Sequence, residues 1–209
     1  MRNSKLEEIL KSYIKNNYKE YILVSLLFVI GIFAGVMVVN NCKDTQISEV
    51  SGYISDFITK FQSIENVNKT GLIMTSIKNN TILSIILWAA GTTVIGMPIV
   101  LLVILFRGLI LGYTISAITI TLGILKGIAF CLISLFLQNT LFIPAVLTIG
   151  VSSIKLYKSI LKDKRKENIK VEIVRHTIIS LLMILVLIAS SLVENVISMT
   201  ILQKFIKYF

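Results

Sequence analysis

From Ile82 to Val151 the only charged side chains are Arg107 and Lys126. A helix that faces water needs a polar face, and so continuous an apolar run leaves none. Lipid is the solvent that suits it, at about twenty apolar residues per helical crossing. Interruptions at Arg107-Gly108 and Lys126-Gly127 divide the stretch into three crossings joined by tight turns. The expected fold class is therefore all-α, a polytopic integral membrane protein.

Composition agrees. Of 209 residues, 55% are hydrophobic and 15% charged, against about 25% charged in globular domains. A net charge of +10 raises the question of nucleic acid, but the basic residues flank apolar runs and form no face interleaved with aromatics. The bilayer is the expected partner, and nucleic acid is not. Cys42 and Cys131 lie far apart and form neither a metal-ligand spacing nor a redox pair.

In chain order, residues 1–20 hold five Lys/Arg and read as a short cytoplasmic amphipathic helix. Its charge, and the lack of a small-residue cleavage site, argue against a cleaved signal peptide. Residues 21–39 form the first crossing, with Gly31 and Gly35 spaced to share one face and admit another backbone. Residues 40–80 form a polar loop on the far side. Within it an amphipathic helix over 47–65 carries Ile54, Phe57, Ile58 and Phe61 at helical spacing. That stripe either buries itself on the headgroup layer or the bundle, or docks a partner; both readings stay open.

The second crossing is expected over 82–106, kinked near Gly96-Met97-Pro98, with Arg107 at a membrane face. The third runs over 108–123, beginning with Gly108-x-x-x-Gly112. It is short, so Lys126 lies at the opposite face, with Gly123 and Gly127 beside it as packing glycines. The fourth, over 128–153, carries Gln138, Asn139 and Thr140 near its middle and Pro144 soon after. Amides at that depth need partners and the proline frees a carbonyl, so a broken or unwound helix facing protein is expected. Residues 154–176 hold eight Lys/Arg and form a basic cytoplasmic loop. The fifth crossing covers 177–199, with Glu194 near its far end, and 200–209 is an extracytoplasmic tail. Glu194 either pairs with Lys126 or each reaches water separately.

Basic residues mark cytoplasmic segments. The charge map thus puts the N-terminus and 154–176 inside, and 40–80 and the C-terminus outside. Catalytic constellations are missing: no carboxylate pair in the core, no phosphate loop, no HExxH, no Cys/His cluster. His176 reads as an interfacial side chain. No cofactor, metal or catalytic residue is assigned, and the chain reads as a non-enzyme.

Two segments, FRGLILGYTIS and LQNTLFIPAVLTIG, together resemble the stage II sporulation protein M family. Its members carry an N/R-G-x-x-x-G segment and, one crossing later, a polar pair followed by a Pro-Ala. Here these are Arg107-Gly108 to Gly112, then Gln138-Asn139 with Pro144-Ala145 and Gly150. Order and spacing along the whole chain carry the likeness. The wider family often has a histidine and a glutamate around the second motif; this chain has Gln138 and Phe142.

The resemblance implies a non-enzymatic scaffold in the septal, engulfing mother-cell membrane of an endospore former. There it would anchor and position two peptidoglycan-degrading partners, stage II sporulation proteins D and P, during forespore engulfment. The alternative class is a small permease or transporter subunit with a polar site at the broken fourth helix. A homo-oligomer held by glycine packing is also compatible with these residues.

Overall fold

The computed structural model describes residues 12–63, 69–162, 169–193 and 200–202. The described residues form α1 (Tyr18–Asn40), α2 (Asp44–Ser63), α3 (Lys69–Gly91), α4 (Gly96–Leu122), α5 (Ile124–Cys131), a π-helical segment (Leu132–Phe136), α6 (Leu137–Lys162) and α7 (Ile169–Val193). A helical turn over 12–16 precedes α1. The fold is all-α, and four helices are long and apolar enough to cross a membrane: Tyr18–Asn40, Gly96–Leu122, Asn139–Leu161 and Ile169–Val193. Three of them present large apolar side chains outward, such as Leu26, Phe33, Leu102 and Leu185, as lipid requires, while Asn139–Leu161 is more enclosed by its neighbours.

Side-chain pairs give the helix directions. Gly31 and Gly35 of α1 lie against Leu105 and Leu109 of α4, in the same chain sense, so the two helices run parallel. The Tyr21 and Thr148 hydroxyls meet at 3.1 Å and Glu20 pairs with Lys158 at 2.6 Å, which makes α6 antiparallel to α1. Trp88 donates to Thr177 at 3.2 Å and Asn80 to Ser191 at 2.8 Å, which makes α3 antiparallel to α7. One end of the bundle thus gathers Glu20, Lys158 and Arg175 and is the basic end; the other carries α2 and is the α2 end.

The helix boundaries correct the expected segmentation. The expected second crossing over 82–106 is interrupted by a turn over 92–95, and α4 runs from Gly96 through Arg107 without a break. Arg107 is therefore inside a continuous helix, not at a break between two crossings. The turn falls where Thr93 accepts a hydrogen bond from the Gly96 amide at 2.9 Å, and Pro98 then sits in the first turn of α4, where its missing N–H is no loss. The leg before that turn is α3, which begins at Lys69 in what was expected to be loop. Its Lys78-Asn79-Asn80 run dilutes the hydropathy, so α3 is not among the four helices long and apolar enough to cross, although it lies along α7 for several turns.

Helical structure also continues through Pro144, where a break was expected. The irregularity lies earlier, in the π-helical segment Leu132–Phe136. There the Asn139 amide donates to the Leu135 carbonyl at 2.8 Å and Ser134 donates to the Phe130 carbonyl at 2.7 Å. Side chains thus serve carbonyls that a π-turn leaves poorly paired. The expected basic loop over 154–176 is mostly helix, since α6 extends to Lys162 and α7 begins at Ile169. Glu194 and most of the segment 1–20 lie outside the described residues.

Two apolar clusters divide the interior. Toward the basic end, Val24, Leu87, Val100, Ile104 and Ile149 come from four helices and are wholly buried. Toward the α2 end, Ile58 and Phe61 of α2 close on Ile118, Phe130, Cys131 and Leu202.

Candidate functional site

The α1–α4 crossing places the most unusual side chain. Glycines on both helices face each other: a Cβ on Gly31 would lie 3.0 Å from the Leu109 amide nitrogen, and one on Gly35 2.7 Å from that of Tyr113. Reciprocally, a Cβ on Gly108 would overlap the Phe28 carbonyl oxygen and lie 3.2 Å from the Gly31 Cα, and one on Gly112 would lie 2.9 Å from the Ile32 Cα. Both pairs thus meet at a single seam, where backbone packs on backbone. Gly108 faces α1, which turns its neighbour Arg107 toward α3 and α6.

Arg107 is half-buried, and its guanidinium carbon lies 5.2 Å from the centre of the Phe142 ring, a cation–π contact. It lines two adjoining cavities. One, about 150 Å³, is walled by Phe28, Asn80, Thr114, Asn139 and Phe142. The other, about 490 Å³, is walled by Ser76, Asn79, Asn80 and the apolar Ile82, Leu83 and Ile86. Among the described residues no carboxylate pairs with Arg107 and no hydrogen-bond acceptor engages it. A guanidinium at the centre of a spanning helix costs roughly 2.5–3.5 kcal/mol on insertion scales. Amides and a ring quadrupole offset part of that.

Of the other residues singled out from sequence, Asn139 joins Arg107 at this site, while the side chain of Gln138 lies outside the described residues. Lys126 is exposed at the α2 end, remote from Arg107 in the chain fold. Gly127 does pack: a Cβ there would lie 2.6 Å from the Thr119 Cα. Gly123, expected to pack, has nothing near it; its φ of +81° ends α4 and reverses the chain into α5, a conformation glycine adopts without strain. Asn80 is not among the residues singled out from sequence, because 40–80 reads as loop and its Asn79-Asn80-Thr81 triplet as incidental. Its signal was the spacing of Ser76, Asn79 and Asn80 ahead of an apolar run.

At the α2 end, the stripe for which burial and docking were both open is largely turned inward. Ile58 and Phe61 are buried and Ile54 is partly covered by the same cluster. Phe57 stacks on Phe61 at 5.6 Å between ring centres yet stays 47% exposed, and Tyr53 is 78% exposed. The Thr121 hydroxyl donates to Ser51 at 3.1 Å, which fixes α2 across the end of α4. The stripe anchors α2, because an apolar face next to bare helix ends is buried first. The outward aromatics are Tyr53 and Phe57.

At the basic end, His176 is buried and not interfacial as expected. Its Nδ1 lies 2.9 Å from the Ser152 hydroxyl and its Nε2 3.3 Å from the Trp88 carbonyl oxygen, so Nε2 donates to the carbonyl and Nδ1 accepts from Ser152. Gly91 supplies the room: a Cβ there would lie 2.9 Å from Nε2. The imidazole ties α3, α6 and α7 together and has no open approach.

The stage II sporulation protein M family model matches residues 24–199, from the first buried valine of α1 to beyond the described end of α7. Comparison with curated proteins and with solved structures returns no match. The matched region takes in the glycine seam, Arg107 and its cavities, and α2 on its platform, and with most of its length inside that family's model the chain belongs to the stage II sporulation protein M family.

Proposed function

We propose that this sporulation membrane protein is a non-enzymatic scaffold that holds peptidoglycan-degrading enzymes at the septal membrane during engulfment. Stage II sporulation proteins D and P are the partners in this reading. The observation that carries it is the platform at the α2 end: an amphipathic helix anchored by Ile58 and Phe61 that presents Tyr53 and Phe57 outward. Aromatics held on a rigid support are what interface anchors are made of. The basic end faces the cytoplasm by the usual charge bias, and the chain crosses five times, with α3 as the second pass. That topology puts α2 on the side where cell wall is remodelled.

A transporter would use the Arg107 cavities as its path. Against it stands the packing between Arg107 and the basic end, where Val100, Ile104, Leu87 and Ile149 leave no exposed surface. The scaffold reading is tested by affinity capture of the full-length protein from sporulating cells. Tyr53→Ser with Phe57→Ser should abolish recovery of the wall-degrading partners while membrane levels hold. Unchanged recovery overturns the reading. Reporters after residue 209 and within 163–168 should fall on opposite sides of the membrane.

A further inference from the structure

We propose that the Arg107 cavity binds the phosphate group of an anionic phospholipid. The argument starts from an unmatched charge. Arg107 offers five N–H donors, and among the described residues only a ring face answers them. The groups around it are Asn80, whose amide uses one hydrogen on Ser191, and Asn139, which uses one on Leu135; each retains a free N–H. Thr114 spends its hydroxyl hydrogen on the Ile110 carbonyl and adds no donor. A guanidinium with two amides beside it is a set of donors awaiting an oxyanion, which arginine binds through its planar fork.

The larger cavity indicates which oxyanion. Its lining is divided: Ser76, Asn79 and Asn80 form a polar track on one face of α3, leading from Arg107 toward the α2 end, while Ile82, Leu83 and Ile86 line the remainder. Ile82 and Ile86 are also half uncovered on the lipid-facing side. A free anion would use the track alone. A phospholipid uses both, its phosphate drawn down the track to Arg107 and an acyl chain laid along the isoleucines. The volume of about 490 Å³ accommodates a headgroup. Below the site the sealed core stops further passage, so the lipid is held and not conducted.

The test uses full-length protein purified in neutral detergent and examined by native mass spectrometry after exchange with defined lipid. Wild type should retain phosphatidylglycerol through detergent exchange and bind diacylglycerol, which has the same acyl chains and no phosphate, at least about tenfold more weakly. Arg107→Gln should lose that preference, Arg107→Lys should keep part of it, and Lys126→Gln, at an exposed cation, should keep all of it. Asn79→Leu, an exposed change that narrows the track, should weaken retention with helical content and oligomeric state unaltered. Thermal melts with sodium phosphate in place of lipid separate the sources. Stabilisation of wild type but not Arg107→Gln by phosphate alone would assign the site to a free oxyanion and overturn the lipid claim. Equal retention of phosphatidylglycerol by wild type and Arg107→Gln, or none by either, would overturn the site. So would an Arg107→Gln protein that keeps its lipid but loses a protein partner, which would make the arginine a docking charge.

Discussion

The two ends of this bundle are built on different principles. At the basic end, the long helices meet directly, and the filling residues Val24, Leu87, Val100, Ile104 and Ile149 are fully enclosed. Even the polar groups there, His176 and Ser152, pair with each other out of reach of solvent. At the α2 end, shorter elements do the work: an amphipathic helix, a glycine turn at +81° and a π-helical segment close over Ile118 and Phe130. In the scaffold reading proposed above, the first end serves as a clamp and the second as a display surface. The difference teaches that one set of helices can be sealed at one end by direct packing and capped at the other by short elements that leave aromatics exposed. The Arg107 cavities lie at the boundary between them.

The largest effect should come from the glycine seam, which lies between the two ends. Gly108→Leu forces a side chain into the Phe28 carbonyl and should destabilise the fold by about 3 kcal/mol or more, seen as loss of monodisperse protein. Gly52→Ala, where nothing lies within 4 Å, should be neutral or slightly stabilising, because alanine favours the helix. If both behaved alike, the seam would not be the spine of the bundle.

Next is the clamp. His176→Ala removes a buried ring and leaves Ser152 and the Trp88 carbonyl unpaired, an expected loss of about 2–3 kcal/mol in thermal melts. Loss confined to the α2 end, with α3 and α7 still protected from hydrogen exchange, would contradict the assignment of this histidine to the clamp.

The display surface should respond more locally. Phe61→Ser strips α2 of its anchor and should cost about 2 kcal/mol, read as exchange or proteolysis within 44–63 while the basic end stays closed. Phe57→Ser, one turn away and half exposed, should stay within about 0.5 kcal/mol of wild type. Equal losses would mean that α2 has no distinct inner and outer face.

The smallest effect is expected from the ion pair that decorates the clamp. Lys158 and Glu20 meet at 2.6 Å, but the lysine is half exposed, so screening reduces what the pair contributes. Lys158→Ala should lower stability by less than about 1 kcal/mol, and by less still at high salt. A larger, salt-insensitive loss would move this pair into the clamp proper.

What the sequence determined by itself is what can be summed along the chain. The apolar runs required helices in lipid, the Gly31/Gly35 and Gly108/Gly112 spacings marked faces where backbones can meet, and the period of Ile54, Ile58 and Phe61 marked α2 as two-faced. Tertiary structure decided what depends on neighbours from elsewhere in the chain. Arg107 read as the end of a crossing because a lone cation in an apolar run is cheapest at an interface. It is held within α4 because Asn80 of α3 and Phe142 of α6 bring polar and aromatic surface to it. The stripe of α2 likewise has no direction until the ends of α4 and α5 supply an apolar floor, and only then are Tyr53 and Phe57 left outside. Hydropathy belongs to a residue and its segment, whereas the solvation of a charge or of an apolar face belongs to whatever is packed against it.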